Sequence, residues 1–248
     1  MKESIIELSE HFWNIRGSFR AAGILQVGTQ ASLIKLQDGR FVFLDSYTLP
    51  EHILQKVYDI TDGGKDVDAI INTHPFHTVH VKRAHKQFPN ARLFGTRRHV
   101  ARAGSLPWQD ILTEDPRIAE EFPELQFSVP RGVDFISDNS SVHFSSVLVY
   151  HPLSKTLHVD DTFNFIKLPM FQKLDLHPTL ASALKKEPQA TQDFRQWTLD
   201  IAEQWADAQN VCTAHVAPLI GIDDFQDRVQ KALRGKERVL QKHARRTA

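Results

Sequence analysis

A layered α/β fold, with strands covered by helices, is what this sequence predicts, on three observations. Apolar runs of strand length alternate with stretches of helical spacing from Phe41 to Ala103. Ligand-type side chains fall where those apolar runs stop, as they do when loops at strand ends build a site. The chain has 248 residues, 41% of them hydrophobic and 24% charged, enough for a sizeable core. No linker-like stretch divides it, so 1–248 is expected to be a single domain.

FWNIRGSF and ASLIKL read as early strands, and QDGR between Leu36 and Phe41 is a turn signal. FVFLD, ending at Asp45, reads as a strand buried on both faces. In LPEHILQKVYDIT, Ile53, Leu54, Val57 and Ile60 recur at helical spacing and Pro50 opens the helix. DAIINT is a strand ending at THPFHTVH, followed by a helix over VKRAHKQF, a strand ARLF and a helix TRRHVARA. The Pro- and acid-rich stretch 106–124 is expected as short helices and loop. Strands return with LQFSV, VDFIS, SVHFSSVLVY and TLHVDD. The stretch 168–188 reads as a loop with a short helix; Phe163, Phe165, Met170 and Phe171 line a cleft or, the reading preferred here, join the core. TQDFRQWTLDIAEQWADA is an amphipathic helix, NVCTAHV a strand, and the end of the chain another amphipathic helix.

Thirty Lys and Arg balance thirty Asp and Glu, so no net field draws nucleic acid or a membrane surface. The basic stretch KALRGKERVLQKHARRTA carries no interleaved aromatic residues and reads as a solvated helix end and tail, not a nucleic-acid arm. The single cysteine, Cys212, excludes an intrachain disulfide and reads as a small buried hydrophobe. The N-terminal segment lacks the apolar run of a signal peptide and no stretch has spanning length, so a cytoplasmic protein is expected.

Thirteen histidines stand out. His74 directly follows a strand, and His77 and His80 come at steps of three. Far along the chain, His143 precedes the run SVLVY, Asp161 ends TLHVDD and His215 ends NVCTAH. Imidazoles with a carboxylate at strand ends are what a zinc or iron site uses. The competing reading is a vestigial site whose histidines only hydrogen-bond loop backbone. His11, His52, His85, His99, His151, His177 and His243 are assigned to surface or packing. His158 lies an odd step from Asp161 along a strand, so it is expected to face away, and Asp160 is set aside by the same alternation.

The order THPFHTVH, VHFSSVLVY, LHVDDTF, CTAHVAP resembles the metallo-β-lactamase superfamily, whose His-x-His-x-Asp-His motif is followed by a lone histidine, a bridging aspartate and a last histidine. Asp45 after paired hairpins fits the same pattern, and the resemblance runs from about Phe12 to Pro218. It implies a four-layer αββα sandwich. Read without a gap, THPFHTVH keeps only His74; with one inserted residue, His74, His77 and His80 fill the three histidine positions and Val79 replaces the aspartate. In that register the resemblance implies one metal on His74, His77 and His143 and a second on His80 and His215, with Asp161 between them. Loss of the motif aspartate weakens the second site most.

What the resemblance implies for chemistry is a metal-activated water, from zinc or else iron or manganese, attacking an ester, thioester, lactone or related small-molecule substrate, with Asp161 positioning the nucleophile. The rival is a non-catalytic member that keeps the fold to bind a ligand or partner. Nuclease activity and di-iron redox chemistry rank lower, because the chain has no room for the additional domains those relatives carry.

Overall fold

Four consecutive apolar residues, Phe41–Leu44, form a strand, and all four are buried, which requires cover on both faces. The computed structural model of the protein, describing residues 3–21, 25–168 and 171–247, supplies that cover. The first half runs β1 (Ser4–Ser9), β2 (Phe12–Ala21), β3 (Leu25–Lys35), β4 (Phe41–Leu44), α1 (Glu51–Ile60), β5 (Val67–Ile71), α2 (Val81–Gln87), β6 (Arg92–Phe94), α3 (Arg97–Arg102) and α4 (Ile118–Glu121). The second runs β7 (Gln126–Ser128), β8 (Leu148–His151), β9 (Thr156–His158), β10 (Phe163–Leu168), β11 (Phe171–Leu176), α5 (Leu180–Ala183), α6 (Ala190–Gln204), β12 (Asn210–Cys212), β13 (Leu219–Ile220), α7 (Phe225–Gly235) and α8 (Glu237–Thr247).

β1 to β6 make one sheet in sequence order, and β13-β12-β9-β8-β7 make another. β1 to β4 pair antiparallel, whereas β4, β5 and β6 pair parallel, because α1 and α2 are the crossovers between them. In the second sheet β9 and β12 are parallel and the other neighbours antiparallel.

Three apolar clusters hold four layers together. Trp13, Ile15, Leu33, Phe43 and Ile70 pack one face of the first sheet on Ile53, Val57, Val81 and Ala84 of α1 and α2. Phe12, Ile34, Val42, Leu44 and Ile71, on the other face, meet Val149 and Cys212 of the second sheet. Leu148, Tyr150, Leu157 and Val211 pack on Phe194, Trp197, Ile201 and Val229 of α6 and α7. Each fully buried side chain of this kind stabilises the fold by ~1.5–3 kcal/mol. The order helix, sheet, sheet, helix is the αββα sandwich expected above. Among the described residues no helix is long and apolar enough to cross a membrane.

Several local expectations are corrected. VDFIS forms no strand; Val133 makes only an isolated bridge to Leu184. SVHFSSVLVY is a strand only from Leu148, since Ser145 donates to Asp134 O, Ser146 N donates to Thr162 Oγ1 and Val147 N donates to Thr73 O. Those bonds occupy polar groups a ladder would use, so His143 lies in a loop. The stretch 168–188 holds β11 and α5, β11 pairing with β10 as a separate hairpin. Phe163 and Phe165 are core, Phe171 is half exposed, and Met170 lies outside the described residues. The basic C-terminal stretch forms the end of α7 and, after Lys236, all of α8 through Thr247.

His99 and His151 are buried, as packing residues. Burial lowers the His99 imidazole to about 3 and that of His151 to about 4, against ~6.5 in an unfolded chain. As pH falls, the unfolded chain takes up these protons first. The stability carried by the neutral rings is therefore complete above about pH 6.5 and is lost below it, at ~1.4 kcal/mol per pH unit for each ring until its own folded value. Urea unfolding at pH 7 and pH 5 is expected to show a smaller drop in ΔG for His151→Gln than for wild type. Equal drops in the two proteins rule this linkage out.

Candidate metal centre

Parallel pairing brings strand ends together. β4 and β5 lie side by side, so Asp45, just past one, stands next to Thr73 and His74, just past the other. The Thr73 backbone N–H donates to Asp45 Oδ1 and the Thr73 hydroxyl to Oδ2, both at 2.7 Å. Asp45 takes the left-handed backbone conformation, φ 62°, a strain the two bonds help to hold. In the second sheet β9 and β12 are parallel, and Val159 N still donates to Cys212 O. Asp160 and Asp161 therefore emerge beside the segment leading to His215.

Four of the six predicted residues converge. His74 Nε2 lies 3.3 Å from Asp161 Oδ2, His77 Nε2 3.7 Å from the same oxygen, and His215 Nε2 3.0 Å from Asp161 Oδ1. The His74 and His77 rings stack with centroids 4.0 Å apart. One nitrogen of each ring faces Asp161, and the other is held elsewhere. His77 Nδ1 contacts Asp160 Oδ2 at 3.1 Å, and His215 Nδ1 bonds Gly28 O at 2.7 Å. His74 Nδ1 accepts the Phe76 backbone N–H at 3.1 Å. A metal ion on Nε2 would need the proton of the neutral ring on Nδ1, and that bond would have to give way.

His80 and His143 line the same cavity of about 420 Å³ as His77, Asp161 and His215; neither pairs with Asp161, though the His143 ring lies 5.9 Å from that of His74. His80 Nδ1 bonds the Thr48 hydroxyl at 2.8 Å, and its ring packs edge-on to Tyr47. His143 Nε2 bonds Ser140 O at 2.7 Å, and its ring stacks on Phe76 at 4.7 Å. Val79 lies at the cavity wall, 63% exposed.

Buried charge shapes the cluster. Burial alone raises the Asp161 carboxyl, but the close approach of His215, His74 and His77 outweighs it and holds the group well below the usual carboxylate range. Burial lowers the His77 imidazole, yet the charge of Asp160 and contacts with both aspartates hold it well above the ordinary value. His215 is raised too, its contact with Asp161 overcoming burial. Burial lowers His143, and burial followed by the charges of Arg83 and His77 lowers His80.

Residues outside the sequence pattern tie the cluster down. Asp160, set aside on strand alternation, holds His77, because β9 ends at His158 and alternation lapses there. His158 does face away from Asp161: its Nε2 bonds Asp45 and its Nδ1 bonds Ser32, both at 2.9 Å. Gln30 Nε2 donates to Val159 O, Asp160 Oδ1 and Cys212 O, while its Oε1 accepts from Arg16 and Asn14. Arg16 also donates to Thr213 O and Ala214 O at 2.8 Å, immediately before His215. The doublet of aspartates at 160–161 was the signal in the sequence for Asp160. Arg16 and Gln30 gave none, since polar residues alternating along strands read as a solvent face.

The site fits a metal ion. His74 Nε2 and Asp161 Oδ1 are buried and make no hydrogen bond, and His74, His77 and Asp161 offer ligand atoms within 4.8 Å of one another. Two imidazoles and a carboxylate with His215 beside them are a donor set for zinc, iron or manganese. Asp45, His158 and Asp160 lie equally close together, but their hydrogen bonds to one another, to Thr73, Ser32, His77 and Gln30 occupy them.

No protein-family model matches the sequence, and no curated protein matches it. Solved structures do. A metallo-β-lactamase from Erythrobacter litoralis with β-mercaptoethanol in its active site has a TM-score of 0.63 at 16% identity, over 94% of this chain and 96% of that one. FIM-1 from Pseudomonas aeruginosa, in a mono-zinc form, gives 0.62 at 11% identity, over 95% and 96%. A metallo-β-lactamase from Pontibacter korlensis gives 0.59 at 13%, over 94% and 99%. At such identities the likeness is one of fold.

The geometry ranks the histidines. In zinc titrations by calorimetry, His77→Ala is expected to lose at least a hundredfold in affinity and His80→Ala less than threefold. Asp160→Asn falls between them at ~10–100-fold, the range for losing a carboxylate behind a histidine ligand. A His80→Ala loss as large as that of His77→Ala contradicts the ranking.

Proposed function

We propose that this chain, which has the metallo-β-lactamase fold, is a metal-dependent hydrolase of a small ester, thioester, lactone or related substrate, working from His74, His77, Asp161 and His215. One observation carries the reading: the nitrogens of His74, His77 and His215 converge on the buried Asp161 carboxylate, 3.0–3.7 Å from its oxygens, beside an open cavity. His74, His77 and Asp161 offer ligand atoms within 4.8 Å of one another and would hold the ion, with His215 beside them. When bound, such an ion supplies a water acidic enough to be hydroxide near neutral pH and polarises the oxygen of the bond under attack.

The chain's own residues do the rest. Asp161, kept ionised by its imidazole neighbours, holds the ion and accepts a hydrogen bond from the attacking water. Asp160 and Gly28 O fix the rings of His77 and His215, so these nitrogens need no reorganisation as charge develops. At its place in the cavity wall Val79 supplies no carboxylate, which favours one ion over a tight pair. The cavity, about 420 Å³, suits a small molecule. His80 and His143 line the same cavity, and their bonds to Thr48 and Ser140 favour a role toward the substrate over one as ligands.

Val79 also supports a second reading, a binding protein without catalysis, because no aspartate stands there to handle a proton. Metal analysis by mass spectrometry separates the two. Wild type is expected to carry close to one equivalent of zinc, iron or manganese, lost in the His74→Ala, Asp161→Ala double variant. On a panel of esters, thioesters and lactones, Asp161→Asn is expected to lower kcat/KM at least a hundredfold. A wild type that stays metal-free after incubation with all three ions overturns the hydrolase reading in favour of binding alone.

A further inference from the structure

Next to the cavity of the metal centre lies a second, more open groove of about 660 Å³, which neither the cluster nor the sequence pattern uses. Its walls carry Arg97, Arg98 and Lys185, with Asp134 as the one acid, and its apolar surface comes from residues that include Val133, Phe135 and Ile136. Arg97 has a partner, Glu114. Arg98 and Lys185 form no ion pair among the described residues, and Arg98 Nε is buried without a hydrogen bond.

A single ring joins this groove to the metal centre. The Arg98 guanidinium sits 4.2 Å from the centroid of Phe76, and Phe76 in turn stacks on His143 at 4.7 Å. Phe76 lines the cavity of the metal centre and Arg98 lines the groove, so the contact between these two side chains connects the walls of the two spaces. A guanidinium held in place by an aromatic face, short of partners and set over apolar surface matches a carboxylate attached to an apolar body. Asp134 opposes such a ligand, but Arg98 and Lys185, which form no ion pair among the described residues, outnumber it.

We propose that this groove binds the charged end of the substrate, an organic carboxylate with an apolar body. Arg98 pairs with the carboxylate, the body lies along Val133, Phe135 and Ile136, and the scissile end passes Phe76 to the metal centre. That the ligand is the substrate rests on the hydrolase reading; that the groove takes such an anion does not.

Octanoate and its neutral counterpart octanamide test the groove on the chelator-treated chain, followed by NMR titration of the backbone amides. Octanoate is expected to bind saturably with shifts concentrated at 133–136, and octanamide at least tenfold more weakly. Arg98→Gln should cut octanoate affinity at least tenfold with an unchanged melting temperature. Should that variant not fold, Lys185→Gln reads the same charge effect as a loss of threefold or more. Equal binding of the two probes, or a folded Arg98→Gln that binds octanoate as wild type does, overturns the proposal. A chain that binds octanoate through Arg98 but never takes up metal keeps the groove and loses the hydrolase reading. One that takes up metal but treats the probes alike does the reverse.

Discussion

Hydrogen bonds from Arg16 and Gln30, buried between the sheets, set where the two halves of the candidate site meet. The first sheet carries His74 and His77 beyond β5, and the second carries Asp161 and His215 beyond β9 and β12. Apolar contact alone lets two sheets slide by fractions of an ångström, because dispersion is not directional. A side chain that must reach three carbonyl and carboxylate oxygens has far less freedom. Gln30 reaches three, and Arg16 two more on the segment entering His215. Their own burial, at 3% and 2% exposure, makes any loss of these partners costly.

Burial explains the electrostatics as well. Asp45, Asp160 and Asp161 are all out of water, where three carboxylates repel one another and lose solvation. Burial and then the Asp160 charge push the Asp45 carboxyl up. Asp160 is pushed down, because His77 and His158 outweigh its burial. Neighbouring carboxyls thus end with different proton affinities: burial and a like charge dominate at Asp45, and imidazole contacts dominate at Asp160 and Asp161. Asp45 serves the backbone of Thr73, Asp160 the outer nitrogen of His77, and Asp161 alone faces the cluster centre. Cys212, pushed up to about 12 by burial, stays a neutral apolar filler between the sheets.

A site of this kind joins a fixed interior to an adaptable edge. His74, Asp160 and Asp161 are buried, so their geometry changes only with the sheets. His143 and Phe76 sit on loops, stacked on each other and reached by Arg98 from α3.

The sequence by itself determined the layered α/β class, the continuous apolar strand Phe41–Leu44, the helices after β4 and β5, and the placing of ligand-type residues where strands stop. Period and composition carry that information, since a buried strand and an amphipathic helix each impose a repeat on the residues that form them. Only the tertiary structure decided which ligand-type residues converge. His80, at helical spacing from His77, turned to Thr48, and Asp160, an odd step from its neighbours, turned inward once the strand had ended. Asn14, Arg16, Gln30 and Ser32 show the limit most directly. They alternate with apolar residues as a solvent-facing edge would, yet they lie between the sheets. Alternation reveals that a strand has two unlike faces; which face meets water depends on what packs against it, and that partner comes from the other half of the chain.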